Sequence, residues 1–246
     1  MGTARRPFPS RGAAAGRLTS VLVTGFPAGP FGTNCFVVAD APGSECLVID
    51  PGMNAMPGIE ALLSEHRLHP AAVILTHGHL DHTWSVLPVC ESAKVPAYIH
   101  ADDREMLADP YLGMGPDMQA MLAQMTAGRM EFAEPEEVRE LADGDTIEIV
   151  GVELSVRHSP GHTPGSIVFT HPGDGDLPPL LFSGDLLFAG SIGRTDLPGG
   201  DPEVMMQSLA RVLPPLSDDT AVLPGHGPQT SMAAERAANP YLKGLG

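Results

Sequence analysis

Cysteine is scarce, at three in 246 residues. Cys35, Cys46 and Cys90 are odd in number, and their spacing matches neither a zinc-binding pair nor a redox motif. That argues against a disulfide-stapled secreted scaffold and for a cytoplasmic location, with each thiol a small buried side chain rather than a nucleophile. No apolar run approaches the ~20 residues needed to span a bilayer, so a soluble chain with no membrane partner is expected. Positive charge is also short. Fourteen Lys and Arg face 30 Asp and Glu, for a formal net charge of −16. Four of those arginines fall within residues 1–17, which contain no acid, so the remainder carries a net −20. Such a surface repels phosphate backbones, and no nucleic-acid partner is expected.

Residues 1–17 are rich in Arg, Pro, Gly and Ala without periodicity. The pair Arg5-Arg6 invites a twin-arginine export reading, but the following segment is interrupted by Arg11 and Arg17 rather than apolar. A disordered basic tail is expected there, followed by a catalytic domain over residues 18–246. A hydrophobic fraction of 43% supports a real core, and this length does not demand a second domain. With 28 Gly and 25 Pro, many turns are expected.

What the chain does have is Thr76-His77-Gly78-His79-Leu80-Asp81-His82, three imidazoles and a carboxylate within six positions. Three buried histidines this close would each need a hydrogen-bond partner or carry a desolvation cost. Neutral imidazole and carboxylate are the donors favoured by zinc and its first-row neighbours. Three further candidates lie in Gly-rich contexts: His162 in Pro160-Gly161-His162, Asp185 in Ser183-Gly184-Asp185, and His226 in Pro224-Gly225-His226-Gly227. Each cluster follows a short apolar run, at residues 72–75, 154–156, 180–182 and 221–223. Strands separated by helical patterns indicate an α/β sheet, in which ligands gather beyond the carboxyl ends of the strands.

On these residues, together with Gly32-Thr33-Asn34-Cys35 and the loop from Ser191 through Gly193-Arg194-Thr195-Asp196 to Asp201, the chain resembles the metallo-β-lactamase-fold hydrolases. Within them it is most similar to the glyoxalase II-like thioesterases. The resemblance implies an αββα four-layer sandwich, two mixed β-sheets with outer helices. It implies two divalent metal ions, zinc first, with iron or manganese also suited. One would be held by His77, His79 and His162 and the other by Asp81, His82 and His226, with Asp185 bridging. Asp81 and Asp185 would be the catalytic carboxylates, and Arg194 and Asp196 would support the loop after Asp185.

Two dications against two carboxylates and one hydroxide leave net positive charge, enough to hold hydroxide near neutral pH and to stabilise an oxyanion. Attack on a small-molecule acyl-thiol such as S-lactoylglutathione is the expected reaction. The departing thiol has a pKa of ~8.5 and leaves without a strong protein acid, which suits a chain with no obvious Ser or Cys nucleophile. Larger glyoxalase II enzymes carry a C-terminal helical domain that holds glutathione, and only 20 residues follow His226, so a different thiol carrier is compatible with this chain. Three rivals are considered. Persulfide dioxygenases share much of the motif set and resemble a single-iron site built from His77, His162 and Asp185. True β-lactamases lack the bridging carboxylate that Asp185 would supply. A non-enzymatic scaffold need not keep all seven donors. No feature of the chain sets an oligomeric state.

Apolar spacing predicts helices over residues 54–67, 81–93, 102–107, 116–127 and 202–213. Strands are predicted over 18–24, 33–39 and 46–49, with a hairpin from 147 to 156 turning near Gly151. His100 and His158 read as hydrogen-bonded structural histidines. Met114, Met118, Met121 and Met125 recur at helical spacing, which favours plain helix packing over a methionine-lined substrate cap.

Overall fold

Many of the strands are buried along nearly their whole length, because both faces of each of two back-to-back sheets are covered. The computed structural model describes residues 21–126 and 132–244; the basic tail at residues 1–17 lies outside them. In the first sheet β1 (Leu22–Ala28), β2 (Thr33–Ala39), β3 (Glu45–Ile49), β4 (His69–Ile74), β5 (Ala97–His100) and β6 (Val138–Leu141) follow in sequence order. The first three are antiparallel neighbours, and β3 to β6 run parallel. The second sheet contains β7 (Thr146–Ile149), β8 (Val152–His158), β9 (Ile167–His171), β10 (Leu180–Gly184), β11 (Ala221–Pro224) and β12 (Thr230–Ser231), again in sequence order. Only β10 and β11 pair in parallel there.

Phe36, Leu47, Ile49, Ile74, Leu154, Phe169 and Phe182 face inward from the two sheets and form the central core. Their neighbours in sequence point the other way. Cys35, Val48, Val73 and Ile99 pack against α1 (Met56–His66) and α3 (Val86–Ala93). Val168, Leu181 and Val222 pack beneath α5 (Pro202–Val212) and α6 (Met232–Ala238). This is the αββα sandwich. Each fully buried Leu, Ile or Phe contributes about 1.5–3 kcal/mol, so the layers are held chiefly by area removed from water. Among the described residues no helix is long and apolar enough to cross a membrane.

Most predicted elements are found, with informative shifts. The first strand begins at Leu22 and runs on to Ala28, and residues 18–20 lie outside the described region. The helix expected over residues 81–93 is two helices, α2 (Leu80–Thr83) and α3. Ser85 breaks it: its amide donates to Pro51 O and its hydroxyl to Gly52 O, which ties the chain to the neighbouring loop. Residues Ala101–Leu107 form a 3₁₀ helix, followed by α4 (Pro116–Thr126). The hairpin turns at Val150 and Gly151, both left-handed, the backbone a tight two-residue β-turn requires. Strands β5, β6, β9 and β12 and helix α6 were not predicted.

Phe182 stacks edge-to-face on Phe36, with centroids 5.5 Å apart. Phe182→Ala is expected to cost about 3–5 kcal/mol, the usual range for a truncated core aromatic. The guanidinium unfolding midpoint measures it, and a loss below about 1 kcal/mol would show that the two sheets do not share this core.

Candidate metal centre

Four strands in two different sheets end at the same place. His77, His79, Asp81 and His82 follow β4, while His162, Asp185 and His226 follow β8, β10 and β11. The seam is closed by backbone bonds: Ile167 N donates to Thr76 O at 2.8 Å, and Asn34 N donates to Gly225 O at 2.7 Å. Asn34 also donates its side-chain amide to Pro224 O and Gly227 O, at 2.9 Å each. Gly225 is needed for close approach. A Cβ there would lie 2.3 Å from Asp185 Oδ1 and 2.7 Å from His82 Cε1.

All seven predicted donors come together. One donor atom from each of His77, His79 and His162 lies within 4.8 Å of the others, and the same holds for Asp81, His82 and His226. Asp185 lies between the two groups. Its Oδ2 is 3.4 Å from His162 Nε2 and 3.7 Å from His226 Nε2, and its Oδ1 is 3.3 Å from His82 Nε2. His79 Nδ1 lies 2.8 Å from His162 Nε2, and His82 Nε2 lies 3.2 Å from His226 Nε2.

Outer partners set the ring orientations. His162 Nδ1–H donates to Arg194 O at 2.7 Å, and His226 Nδ1–H donates to Phe31 O at 3.2 Å. His82 Nδ1–H donates to Asp50 Oδ2 at 3.0 Å. Thr76 donates its hydroxyl to the same Asp50 oxygen at 2.6 Å, so its own oxygen can accept from His77 Nδ1–H at 3.1 Å. Four imidazoles therefore aim the Nε2 lone pair inward, an assignment made from their partners. His79 is reversed and presents Nδ1.

The electrostatics suit cations. Burial, then the neighbouring His82, His162 and His79, holds His77 far below its ordinary value. Burial and His162 take His79 down to about 3. Both are neutral donors at pH 7. Burial disfavours charge on Asp81 and Asp185 too, but His82 foremost, with His226, outweighs it and holds both below the usual carboxylate range. The converse acts on His82: burial opposes its charge, yet Asp185 and Asp81 raise it well above its ordinary value. The acids demand positive charge at this spot. His77 Nε2 and Asp185 Oδ1, both in the donor cluster, are buried without a hydrogen-bond partner, the His82–Asp185 contact at 3.3 Å lying outside hydrogen-bond geometry, while the unpartnered His79 Nε2 lies on the Gly113 side of its ring. Lone pairs facing one another, orphaned buried donors and a mixed imidazole and carboxylate set fit two divalent cations. His77, His79 and His162 could hold one and Asp81, His82 and His226 the other, with Asp185 reaching both.

Two acids were missed in the sequence. Asp50 follows β3 in Ile49-Asp50-Pro51-Gly52, a fifth strand exit of the kind that flagged the others. It adopts a left-handed φ of 49° and also accepts from Thr76 N at 2.8 Å. A non-glycine residue in that region is costly and is retained where surrounding contacts over-determine it. Asp103 is fully buried and accepts from Gly78 N, Thr163 Oγ1 and Gly165 N at 2.6–2.9 Å. It thereby clamps the His77–His79 loop to the loop after His162. Arg194 and Asp196 form a surface pair at 2.7 and 2.8 Å, and Arg194 reaches the donors through its carbonyl. His100 and His158 stack face to face across the seam, centroids 4.1 Å apart, and His158 Nε2–H donates to Pro164 O, in keeping with a structural role.

Asp50→Ala removes the acceptor shared by His82 and Thr76. It should weaken metal binding about 10–100-fold, as loss of an outer partner usually does, while the far-ultraviolet spectrum stays native. Competition with a chromophoric chelator measures this, and unchanged affinity in a folded variant would contradict the orienting role.

The model of the metallo-β-lactamase superfamily matches residues 28–226. A Mycobacterium tuberculosis protein is 46% identical over 92% of this chain and 99% of its own length. The Bacillus subtilis probable metallo-hydrolase YqgX is 37% identical over 89% of this chain and 96% of its own. The Haemophilus influenzae hydroxyacylglutathione hydrolase GloC is 31% identical over 88% and 95%. Of solved structures, the BLEG-1 B3 metallo-β-lactamase aligns with a TM-score of 0.77 at 35% identity, covering 91% of this chain and all of the other. TTHA1623, in a di-iron-bound form, aligns at 0.68 and 34% identity, over 92% of this chain and all of its own. By its family match, its relatives and its fold, the chain belongs to the metallo-β-lactamase superfamily.

Proposed function

We propose that this chain is a binuclear metal-dependent hydrolase of small acyl-thioesters, glyoxalase II-like in its chemistry and acting in the cytoplasm, with zinc as the expected metal. The observation that carries the reading is the position of Asp185 between two groups of three donors. When bound, two such cations supply a hydroxide nucleophile at neutral pH and Lewis-acid stabilisation of an oxyanion. Asp185 would reach both cations, and Asp81, which accepts the Thr33 hydroxyl at 3.1 Å and lies 3.1 Å from His226 Nε2, would serve beside His226.

Among the described residues no cysteine competes for the nucleophile's role. Cys35 is fully buried with its thiol pushed far up by burial, and burial takes Cys46 and Cys90 up to about 12. A thiolate leaving group needs no strong acid, which fits a cavity base whose carboxyls Asp81 and Asp185 are both held below the usual carboxylate range. The 31% identity to the hydroxyacylglutathione hydrolase GloC supports a thioester substrate. An iron dioxygenase would use only His77, His162 and Asp185 and would leave His79, Asp81, His82 and His226 without a task. TTHA1623 binds two irons, so iron alone does not separate the readings.

Protein purified without added metal should contain two divalent ions and hydrolyse S-lactoylglutathione or a simpler thioester. It should take up no oxygen with glutathione persulfide and leave a β-lactam largely intact. Oxygen uptake with one iron per chain would favour the dioxygenase, and efficient lactam cleavage without thioester cleavage would favour a lactamase. Asp185→Asn should lower turnover at least about 100-fold and reduce metal retention by about 10–100-fold. Near-native activity with full metal would remove the bridging role.

A further inference from the structure

A cavity of about 660 Å³ opens above the donors, with His79, Asp81, His162, Asp185 and His226 at its base. That volume lies within the 300–1,000 Å³ range of small-molecule sites. Its walls come from three places. Phe31 and Met53 border one side, Phe188, Ile192 and Leu197 from the loop after Asp185 another, and Met114, Met118 and Met121 the third. Met114 and Met118 belong at the same time to a small cluster with Leu80, Leu122, Trp84 and Phe132. Packing and cavity lining are thus both served by the methionine stripe. Met121 is 38% exposed and takes no part in that cluster, and the side chain of Met125 lies outside the described residues.

Charge on these walls is sparse. Arg194 is the one permanent cation among the described lining residues, and Asp196 engages it through two hydrogen bonds. Asp117, next to Met118 on α4, adds a negative charge to the lining, on a chain of net −16. A carboxylate remote from the scissile carbonyl would therefore meet mainly methionine, phenylalanine and an acid, and a single guanidinium whose charge Asp196 already offsets. An alkyl or aryl chain would meet matching apolar surface. Unbranched thioethers can rearrange around chains of different shape.

We propose that the acyl group taken by this cavity is uncharged and apolar, and that Met114, Met118 and Met121 form an adaptable wall that selects it. This rests on the thioesterase reading. It excludes as preferred substrates acyl groups that end in a carboxylate.

The test holds the thiol constant, using N-acetylcysteamine thioesters of acetate, butyrate, hexanoate, benzoate and succinate with the metal-loaded protein. kcat/KM should rise about three- to fourfold per added methylene until the cavity is filled. Succinyl should be turned over at least about tenfold less efficiently than butyryl. Met121→Lys, at an exposed position, should shift the succinyl-to-butyryl ratio toward succinyl by about two- to fivefold. A flat chain-length profile, or preference for succinyl by the unaltered protein, overturns the apolar assignment while leaving thioester hydrolysis intact. An unchanged ratio in folded Met121→Lys overturns the placement of the acyl chain against this wall. Absence of turnover with every thioester on fully metallated protein overturns both readings together.

Discussion

Seven imidazole and carboxylate side chains crowd one seam, and their mutual repulsion and desolvation are the constraint around which the rest of the structure is arranged. Five imidazoles and two carboxylates would separate or protonate if they were free to. They are prevented from doing so by backbone bonds between the sheets at Thr76–Ile167 and Asn34–Gly225, and by acceptors behind the rings at Asp50, Arg194 O and Phe31 O. The two sheets must therefore be packed before the site exists. The core of Phe36, Ile74, Phe169 and Phe182 is part of the chemistry in that sense.

Much of this was legible in the chain because strand exits are written locally. An apolar run followed by a donor with a glycine beside it marks the end of β4, β8, β10 and β11, and the helical spacing of Met56, Ile59, Leu62 and Leu63 marks α1. What could not be read is what depends on distant partners. Asp103 has no local signature, and its neighbour Asp102 is exposed, whereas Asp103 is buried because Gly78, Thr163 and Gly165 bring it three donors. The break between α2 and α3 depends on Ser85 meeting Pro51 and Gly52, more than thirty positions away. Asp50 was readable in principle, since it repeats the strand-exit pattern, but a lone carboxylate among 30 acids stands out only once the strand pairing is known.

The site and its surroundings have different electrostatic characters. At the base, acids raise the demand for positive charge, visible in the elevated His82 and depressed Asp81 and Asp185. A few ångströms above, apolar side chains and a self-paired Arg194 offer little to any ion. A carbonyl with an apolar substituent satisfies both zones, since its reactive end can be polarised while its remainder is desolvated. Family membership accounts for the shared fold, and on the proposed reading it is the walls of the cavity that would differentiate the substrate.

The central claim is that the seven donors form two cation sites joined by Asp185. Diffraction at the metal's absorption edge, on crystals of metal-loaded protein, tests it most directly. Two anomalous peaks are predicted, one within about 2.0–2.2 Å of His77, His79 and His162 and the other equally close to Asp81, His82 and His226, with Asp185 touching both. A single peak, or two with Asp185 bound to neither, would contradict the account.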